Sequence, residues 1–283
     1  MRSILFVPGD SRRKFDKAVD TAADALVLDL EDSVAAGAKF EARRTVAAML
    51  SEDRRGKRMI VRVNPFDTGL TLDDLATVMA EAPDMIMLPK CRNAGDVDLL
   101  GNYLSAFEAA FGLKQEATGI LPIATETAES VLGLSTYRPH ARLRGLLWGA
   151  EDLAASLHAA GNRDGAGYSA PFLLARNLCL MAAAQAGVPA IDSICTDIGD
   201  LDTVTSEARI ARRDGFGAKA VIHPSHIAPV NEAFRPTEEE ISWARRVIEA
   251  FETNAGSGVI RMDGKMIDKP HERAARNILA ALD

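Results

Sequence analysis

Short apolar runs recur along this chain, and the longer stretches between them repeat their apolar residues every three or four positions. The runs occupy residues 4–8, 25–30, 59–63, 85–88, 120–125, 145–148, 190–195 and 218–223. Short apolar runs bounded by Gly, Pro or charged residues predict buried strands. The stretches between them have helical periodicity, as in residues 14–23, 40–50 and 72–82. The pattern therefore predicts eight strands that alternate with helices.

This alternation predicts an α/β fold in which helices cover a parallel sheet, because parallel strands need crossover connections and are buried on both faces. Eight such units in about 230 residues match a (β/α)8 TIM barrel, whose usual length is about 250 residues. A doubly wound sheet is the rival, but no GxGxxG fingerprint follows the first strand. We predict a barrel over residues 1–235 and an extra C-terminal helical segment over 236–283. That segment is too small to fold as an independent domain, so it should pack on the barrel or reach another subunit.

Composition narrows the classes of function. The 283 residues are 47% hydrophobic, and the net charge of -7 comes from interspersed acids and bases, which argues against a nucleic-acid surface. The sequence has no apolar run of the length that a membrane helix needs. The first apolar run is too short for a signal peptide, and the three cysteines have no CxxC spacing. We therefore expect a cytoplasmic protein that does not act at a membrane.

Between residues 119 and 152, two of the apolar runs end in carboxylates. Glu126 follows the first run, and Glu151 and Asp152 follow the second. If the two strands are parallel neighbours their ends converge, and a carboxylate at the end of a buried strand needs a positive partner. Because no Lys or Arg is adjacent to these acids, the pattern favours a hard divalent cation, Mg²⁺ before Ca²⁺. The alternative is that the acids cap the helices that follow.

Polar residues also gather at the ends of the other predicted strands, where barrel enzymes keep their catalytic residues. Arg62 alternates with two valines and should point into the barrel, where a guanidinium needs an anion. A structural ion pair with Asp29 or Glu31 is the alternative interpretation. Lys90 should have acidic neighbours that keep it protonated. This favours a structural or phosphate-binding lysine over a Schiff-base lysine.

Two further groups of residues remain ambiguous. The cluster of Arg12, Arg13 and Lys14 follows the first strand and is either a solvated helix face or a phosphate-binding cluster at the barrel mouth. His223 precedes Pro224 and is more typical of a hydrogen-bonded packing residue than of a base.

The ordered motifs resemble those of the citrate lyase beta subunit-like proteins in the HpcH/HpaI aldolase group, which includes malyl-CoA and citramalyl-CoA lyases. The matching segments cover nearly the whole chain and are specific for the family, but much less so for the substrate. They are RSILFVPG at 2–9, DLEDSV at 29–34 with Lys39 and Arg43, VRVNP at 61–65, LPK at 88–90, PIATETA at 122–128, GAEDL at 149–153, AID at 190–192, IHPS at 222–225 and DGKMIDKP at 263–270.

The resemblance implies a barrel that assembles into homotrimers or hexamers. It implies Mg²⁺ held by Glu126 and Asp152, and Arg62 as the residue that binds substrate and offsets its developing negative charge. Glu31 and Asp32 would lie near the water ligands of the metal.

The resemblance also implies an activity, that of a Mg²⁺-dependent carbon–carbon lyase. Such an enzyme cleaves a β-hydroxyacyl-CoA of the malyl, citramalyl or citryl type to an acyl-CoA and a 2-oxo acid. Asp268 is the candidate for an acid that a C-terminal lid supplies from a neighbouring subunit. From charge alone, we expect Arg12, Lys14 and Lys17, together with Arg13, to bind the phosphates of CoA.

Several alternative functions remain open. A malyl-CoA thioesterase could use the same site if the lid positions water, and the beta subunit of a multi-component citrate lyase would need an acyl carrier protein. A metal-dependent aldolase on free oxo acids is a further alternative, since the metal chemistry does not require CoA. A non-catalytic assembly subunit would not need Arg62, Glu126 and Asp152 together.

Overall fold

Eight parallel strands form the central sheet of the computed structural model, which describes residues 1–165, 167–254, 257–280 and 282. The eight strands are β1 (Ser3–Pro8), β2 (Ala25–Asp29), β3 (Arg58–Arg62), β4 (Met85–Leu88), β5 (Gly119–Pro122), β6 (Leu146–Leu147), β9 (Ala190–Asp192) and β10 (Ala218–Val221). Strands β7 (Arg163–Asp164) and β8 (Gly167–Tyr168) form a separate short hairpin between β6 and β9.

The order of the strands in the sheet is β5-β4-β3-β2-β1-β10-β9-β6. Isolated parallel bridges from Ile120 to Leu143 and from Ile123 to Leu147 join its two ends, so the sheet curls into a nearly closed barrel. The eight predicted strands and the TIM-barrel fold are confirmed.

Helices surround the barrel, and several begin or end at residues suited to those positions. Asn93, Thr127 and Asp200 accept backbone N–H bonds at helix N-termini, and Gly187 and Gly215 end helices in the left-handed conformation. None of the described helices has the length and apolar character needed to cross a bilayer. The α-helices described between residues 1 and 233 are α1 (Arg12–Ala18), α2 (Lys39–Leu50), α3 (Thr71–Val78), α4 (Ala94–Ala110), α5 (Ala128–Gly133), α6 (Glu151–Ser156), α7 (Ala170–Ala186), α8 (Leu201–Asp214) and α9 (Ile227–Ala233).

Apolar side chains fill the inside of the barrel. The buried cluster there takes residues from all eight strands or the residues directly after them, including Ile4, Val27, Ile60, Met87 and Leu121. Every residue of β2, β4, β5, β9 and β10 is buried. This is why the strands appear in the sequence as continuous apolar runs rather than as alternating ones.

The chain divides into two compact units, Met1–Ala233 and Phe234–Asp283. The second unit contains α10 (Glu238–Thr253), an antiparallel hairpin of β11 (Val259–Met262) and β12 (Lys265–Asp268), and α11 (Lys269–Ala280). It has an apolar cluster of its own, which includes Val247, Phe251, Ile260 and Ile267. The C-terminal helices are as predicted, whereas the hairpin between them was not predicted.

The predicted boundary at residue 235 and the dependence of the C-terminal segment on the barrel stay predictions. Residues 255, 256, 281 and 283 of that segment lie outside the described residues.

Candidate functional site

A cavity of about 760 Å³ lies at the carboxyl ends of the barrel strands. The described residues that line it belong to the first unit. Leu5, Phe6, Ile123, Leu147 and Ile194 provide an apolar wall. The charged lining residues are the acids Asp29, Asp32, Glu126, Glu151 and Asp152 and the bases Arg13, Lys14, Lys17 and Arg62.

Glu126 and Asp152, the two predicted metal ligands, both line this cavity. The backbone N–H of Ala124 donates to the carbonyl of Leu147 at 2.8 Å, and the N–H of Gly149 donates to Thr125 Oγ1 at 2.9 Å. These bonds hold the ends of β5 and β6 side by side. The assumption that the two strands are parallel neighbours with converging ends was therefore correct.

The alternative, that these acids cap the helices that follow them, fits α6 but not α5. Thr127, not Glu126, caps α5, since its side chain accepts the N–H of Ser130. Asp152 and Glu151 do lie in the first turn of α6, and Asn162 Nδ2 donates to Glu151 Oε1 at 2.8 Å. Helix capping therefore does not explain Glu126.

Glu126 is a buried carboxylate with an unusual protonation equilibrium. Burial, together with the negative charges of Glu31 and Asp152, raises its pKa to about 8. The backbone N–H of Lys90 donates to Glu126 Oε2 and partly offsets this shift. The positive charge around Glu126 is thus too small to stabilise its ionised carboxylate.

Lys90 lies among the acids of the site. Its Nζ is 2.5 Å from Glu31 Oε1 and 3.5 Å from Asp152 Oδ1. Although burial favours the neutral amine, the hydrogen bond and charge of Glu31 raise the pKa of Lys90. The prediction that acids keep Lys90 protonated agrees with this geometry. The expectation that these acids have no Lys or Arg beside them is wrong for Asp152, because Lys90 Nζ lies 3.5 Å from its Oδ1.

Arg62 is held in a fixed orientation by neighbouring carboxylates. Its Nε and Nη2 donate to the two oxygens of Asp29 at 2.7 Å each, and Nη1 lies 2.8 Å from Glu31 Oε2. The guanidinium carbon lies 5.2 Å from the centre of the Phe6 ring. The structural ion pair considered from the sequence therefore exists. A guanidinium has five N–H donors, and two of them bind Asp29. Donors on Nη1 and Nη2 therefore remain for a ligand in the cavity that Arg62 lines.

The remaining predicted residues are only partly brought to the cavity. Asp32 lines it, and Glu31 is buried against Arg62 and Lys90. Lys14 and Lys17 line it from α1. Arg12 instead pairs with Asp16 at 2.7 Å and with Glu52, and its proposed contact with phosphate stays a prediction.

Asp268 lies in the second unit, at the end of β12 and directly before α11. Its Oδ1 is 2.5 Å from His271 Nδ1. Its role as a lid acid stays a prediction.

Asp192, the polar residue at the end of β9, lies in a buried network of charged side chains. Asp192 lies 2.8 Å from Lys219 Nζ, 2.8 Å from Trp148 Nε1 and 3.3 Å from Arg176 Nε. Although burial opposes ionisation, Lys219 and Arg176 lower the pKa of Asp192. Asp192 is satisfied inside the protein and has a structural role.

Within the described parts of the chain, no group of three or more His, Cys, Asp or Glu side chains is arranged to hold a metal ion. A cation at Glu126 and Asp152 would therefore need water or ligand oxygens to complete its coordination. Mg²⁺ commonly binds in this way, through one or two carboxylates and several waters. The carboxylates of Glu126 and Asp152 are hard oxygen donors, and the buried carboxylate of Glu126 lacks compensating positive charge. Both properties fit Mg²⁺.

The chain matches two models of known protein families, which together cover most of its length. The model described as HpcH/HpaI aldolase/citrate lyase matches residues 2–224. A second one, described as a C-C bond lyase of the TIM-barrel fold, matches residues 182–281.

Three curated relatives are similar over nearly their full length. The chain is 36% identical to the citrate lyase subunit beta of Escherichia coli, with 99% of this chain and 92% of that protein covered. It is 34% identical to a (3S)-malyl-CoA thioesterase of Cereibacter sphaeroides, with 99% and 93% covered. It is 32% identical to the mitochondrial citramalyl-CoA lyase of Rattus norvegicus, with 98% and 85% covered.

One similar solved structure is the protein CitE from Mycobacterium tuberculosis in complex with magnesium, acetoacetate and coenzyme A. Its TM-score is 0.79 at 31% identity, and the match covers 99% of this chain and 97% of that one.

Proposed function

The chain belongs to the HpcH/HpaI aldolase/citrate lyase family, and on this premise we propose that it is a Mg²⁺-dependent carbon–carbon lyase. Its substrate would be a β-hydroxyacyl-CoA thioester of the malyl, citramalyl or citryl type, and its products an acyl-CoA and a 2-oxo acid. The observation that carries the proposal is that Arg62, Glu126 and Asp152 line one cavity where TIM-barrel enzymes keep their active sites. The relatives named citrate lyase and citramalyl-CoA lyase support it.

Glu126 and Asp152 would hold the Mg²⁺. When bound, the ion would act as a Lewis acid on oxygen atoms of the substrate. The raised pKa of Glu126 supports this assignment, because a divalent cation would supply the positive charge that its carboxylate lacks. The magnesium in the CitE complex is a second support.

The reaction needs one proton removed and one delivered. A base takes the β-hydroxyl proton, the O–H electrons form the carbonyl of the oxo acid, and the bond between the α and β carbons breaks. The electrons of that bond become the enolate of the acyl-CoA. The N–H groups of Arg62 that do not bind Asp29 would offset negative charge on the enolate or carboxylate oxygens. A proton delivered to the α carbon, which we assign to Asp268, completes the acyl-CoA.

The basic side of the cavity suits the CoA moiety. Lys14 and Lys17 line it, and ammonium groups are common partners of phosphate. Arg12, which is paired with Asp16 and Glu52, would have to leave these partners to contribute. We also assign a homotrimeric or hexameric assembly, in which Asp268 would act in a neighbouring subunit.

The test is a screen of malyl-, citramalyl- and citryl-CoA with the purified protein, with and without Mg²⁺, in which products are identified by mass. Glu126→Ala and Asp152→Ala should each lower turnover about 100-fold or more, because loss of a ligand should cost at least as much as the ~10–100-fold loss that follows removal of a residue supporting a ligand. Glu129→Ala is the matched control, since Glu129 is exposed in the first turn of α5. Full wild-type cleavage after chelation would overturn the metal's role.

The role of Asp268 has a separate test. Asp268→Ala should retain substrate binding and lose turnover, whereas Asp263→Ala, which removes the partner of Arg246 in the same unit, should retain both. Unchanged turnover of Asp268→Ala would remove its assignment as the acid.

Two relatives favour alternative functions. The malyl-CoA thioesterase at 34% identity favours hydrolysis, which would yield free hydroxy acid and CoA instead of oxo acid and acyl-CoA. The citrate lyase subunit beta at 36% identity favours action in a larger complex. Activity that appears only with a substrate bound to an acyl carrier protein would identify that case.

A further inference from the structure

His223 lies two residues after the end of β10, the neighbour of β1 in the barrel, and lines the cavity. Its ring caps the short helical turn Pro224–His226. The Nδ1 atom lies 3.3 Å from the backbone N of Ser225 and 2.7 Å from the Oγ of the same residue. All the hydrogen bonds of this ring to described residues use Nδ1.

These contacts define which nitrogen of the imidazole carries the proton. A backbone N–H can only donate, so Nδ1 accepts, and the Ser225 hydroxyl can donate to it as well. A neutral imidazole that accepts at Nδ1 carries its hydrogen on Nε2. Nε2 has no hydrogen-bond partner within the described part of the chain. The ring thus has one N–H donor left over, and it lines a ligand-sized cavity.

The neighbours of His223 indicate which part of a ligand this donor would meet. Strand β1 leads into α1, which brings Arg13, Lys14 and Lys17 to the same cavity. The metal-ligand candidates, in contrast, follow β5 and β6. In the strand order, His223 is therefore one strand from β1, which leads to these bases, and two strands from β6, which leads to Asp152.

We infer that His223 is a substrate-positioning residue whose Nε2–H donates to a carbonyl or phosphate oxygen of the coenzyme A moiety. The inference rests on the proposed function, because it takes the ligand to be an acyl-CoA. Ser225 is the residue that selects the donating tautomer.

Two substitutions separate the two nitrogens of the ring. The Oδ1 of asparagine can take the place of Nδ1, so His223→Asn keeps the cap and removes the donor. The amide N–H of glutamine can reach the position of Nε2, so His223→Gln keeps a donor and removes the cap. A positioning role and a purely structural role therefore predict opposite rankings of the two variants.

The measurements are the affinity for free CoA by calorimetry, the melting temperature, and the KM values for the acyl-CoA and the oxo acid. His223→Asn should weaken CoA binding and raise the KM for the acyl-CoA about three- to tenfold, the usual effect of one hydrogen bond. Its melting temperature and KM for the oxo acid should stay near wild type. His223→Gln should bind CoA nearly as the wild type does but melt at a lower temperature.

His140 offers a matched control. Its Nδ1 also accepts a backbone N–H, that of Arg142 at 3.1 Å, but it is not one of the described residues that line the cavity. His140→Asn should leave CoA affinity unchanged.

CoA binding does not require turnover, so the result separates the two proposals. Wild-type CoA affinity in His223→Asn would overturn the role of His223 and leave the lyase proposal standing. A CoA-binding protein that shows the predicted ranking but cleaves no thioester would support His223 and overturn the lyase. A wild-type protein that binds no CoA would overturn the role of His223, whereas the screen of thioesters would still decide the lyase proposal.

Discussion

Asp29 and Arg62 occupy paired positions in the register of β2 and β3 and are joined by two parallel hydrogen bonds of 2.7 Å. Asp29 also accepts the backbone N–H groups of Glu31 at 2.9 Å and Ser33 at 3.1 Å. Despite burial, Arg62 lowers the pKa of Asp29. One carboxylate thus fixes both the guanidinium at the cavity and the loop that follows β2.

Asp29→Asn should destabilise the protein and reduce its turnover. The substitution keeps the shape of the side chain but leaves the buried guanidinium with less counter-charge. Loss of one partner of a buried ion pair costs about 3–5 kcal/mol, so the free energy of unfolding in urea should fall by that amount. Turnover should fall because Arg62 is no longer fixed in its orientation.

The exposed pair of Arg12 and Asp16, also at 2.7 Å, is a control of equal length. Asp16→Asn should change the free energy of unfolding by no more than about 0.5 kcal/mol, as solvated pairs on a helix do. If both variants lost the same amount, the organising role of Asp29 would be contradicted.

The barrel could be predicted from the sequence because each strand is buried on both faces and so appears as an apolar run. The predicted strand at 85–88 coincides with β4, and all four of its residues are buried. That Glu126 and Asp152 reach one cavity also followed from the sequence, since neighbouring parallel strands end at the same edge of the barrel.

The ion-pair partners at that edge could not be predicted in the same way. Glu31 is 59 residues from Lys90, and the two meet only because the barrel closes and brings the ends of β2 and β4 to one rim. Lys90 also adopts a left-handed backbone, with φ of 50°, which no local pattern indicates. The hairpin of β11 and β12 was missed because its strands mix apolar and charged residues, and each strand has a single buried residue.

Gly149→Ala should weaken Mg²⁺ binding. A Cβ at this position would lie 3.2 Å from Glu126 Cγ and 3.2 Å from Ile123 Cγ2. Because Ile123 belongs to the packed interior of the barrel, we expect Glu126 to shift. Displacement of a metal ligand by a few tenths of an ångström should raise the dissociation constant for Mg²⁺ about tenfold, which calorimetric titration can measure.

Gly161→Ala is the control for this substitution, since a Cβ there would meet no atom within 4 Å. Its affinity for Mg²⁺ should match the wild type. An unchanged dissociation constant in Gly149→Ala would show that Glu126 tolerates the added methyl group or does not bind the metal.

The metal-free protein should become less stable as the pH rises from about 5 to 8. The pKa of Glu126 is raised from 4.5 to about 8 by burial and by its acidic neighbours, so in this range the folded state keeps a proton that the unfolded chain has lost. Stability then falls with pH, by up to about 1.4 kcal/mol per pH unit from this group. Urea unfolding at several pH values in the presence of a chelator would measure the slope.

Glu126→Gln isolates the contribution of this residue, because every other titrating group is retained. The stability of the wild type minus that of Glu126→Gln should decline between pH 5 and 8, and added Mg²⁺ should reduce the decline. Parallel stability curves for the two proteins would contradict the raised pKa of Glu126.

Lys90→Met should make the protein depend more strongly on Mg²⁺. The Lys90 ammonium is 2.5 Å from Glu31 and 3.5 Å from Asp152, so it offsets some of the same negative charge that the metal would offset. Without it, the metal-free protein should melt at a lower temperature, and saturating Mg²⁺ should raise the melting temperature by more than in the wild type. The backbone N–H that donates to Glu126 remains in this variant.

Lys57→Met separates this effect from the general loss of a partly buried lysine. Lys57 Nζ donates to the carbonyl of Ala23 at 3.0 Å and to that of Thr21. Lys57 lies directly before β3, at the opposite end of this strand from Arg62 and the cavity. Its removal should lower the melting temperature without changing the increment that Mg²⁺ adds. If the increment in Lys90→Met were equal to or smaller than that of the wild type, the ammonium and the metal would not share the same carboxylates. Lys90 would then act only by holding Glu31 in place beside Arg62.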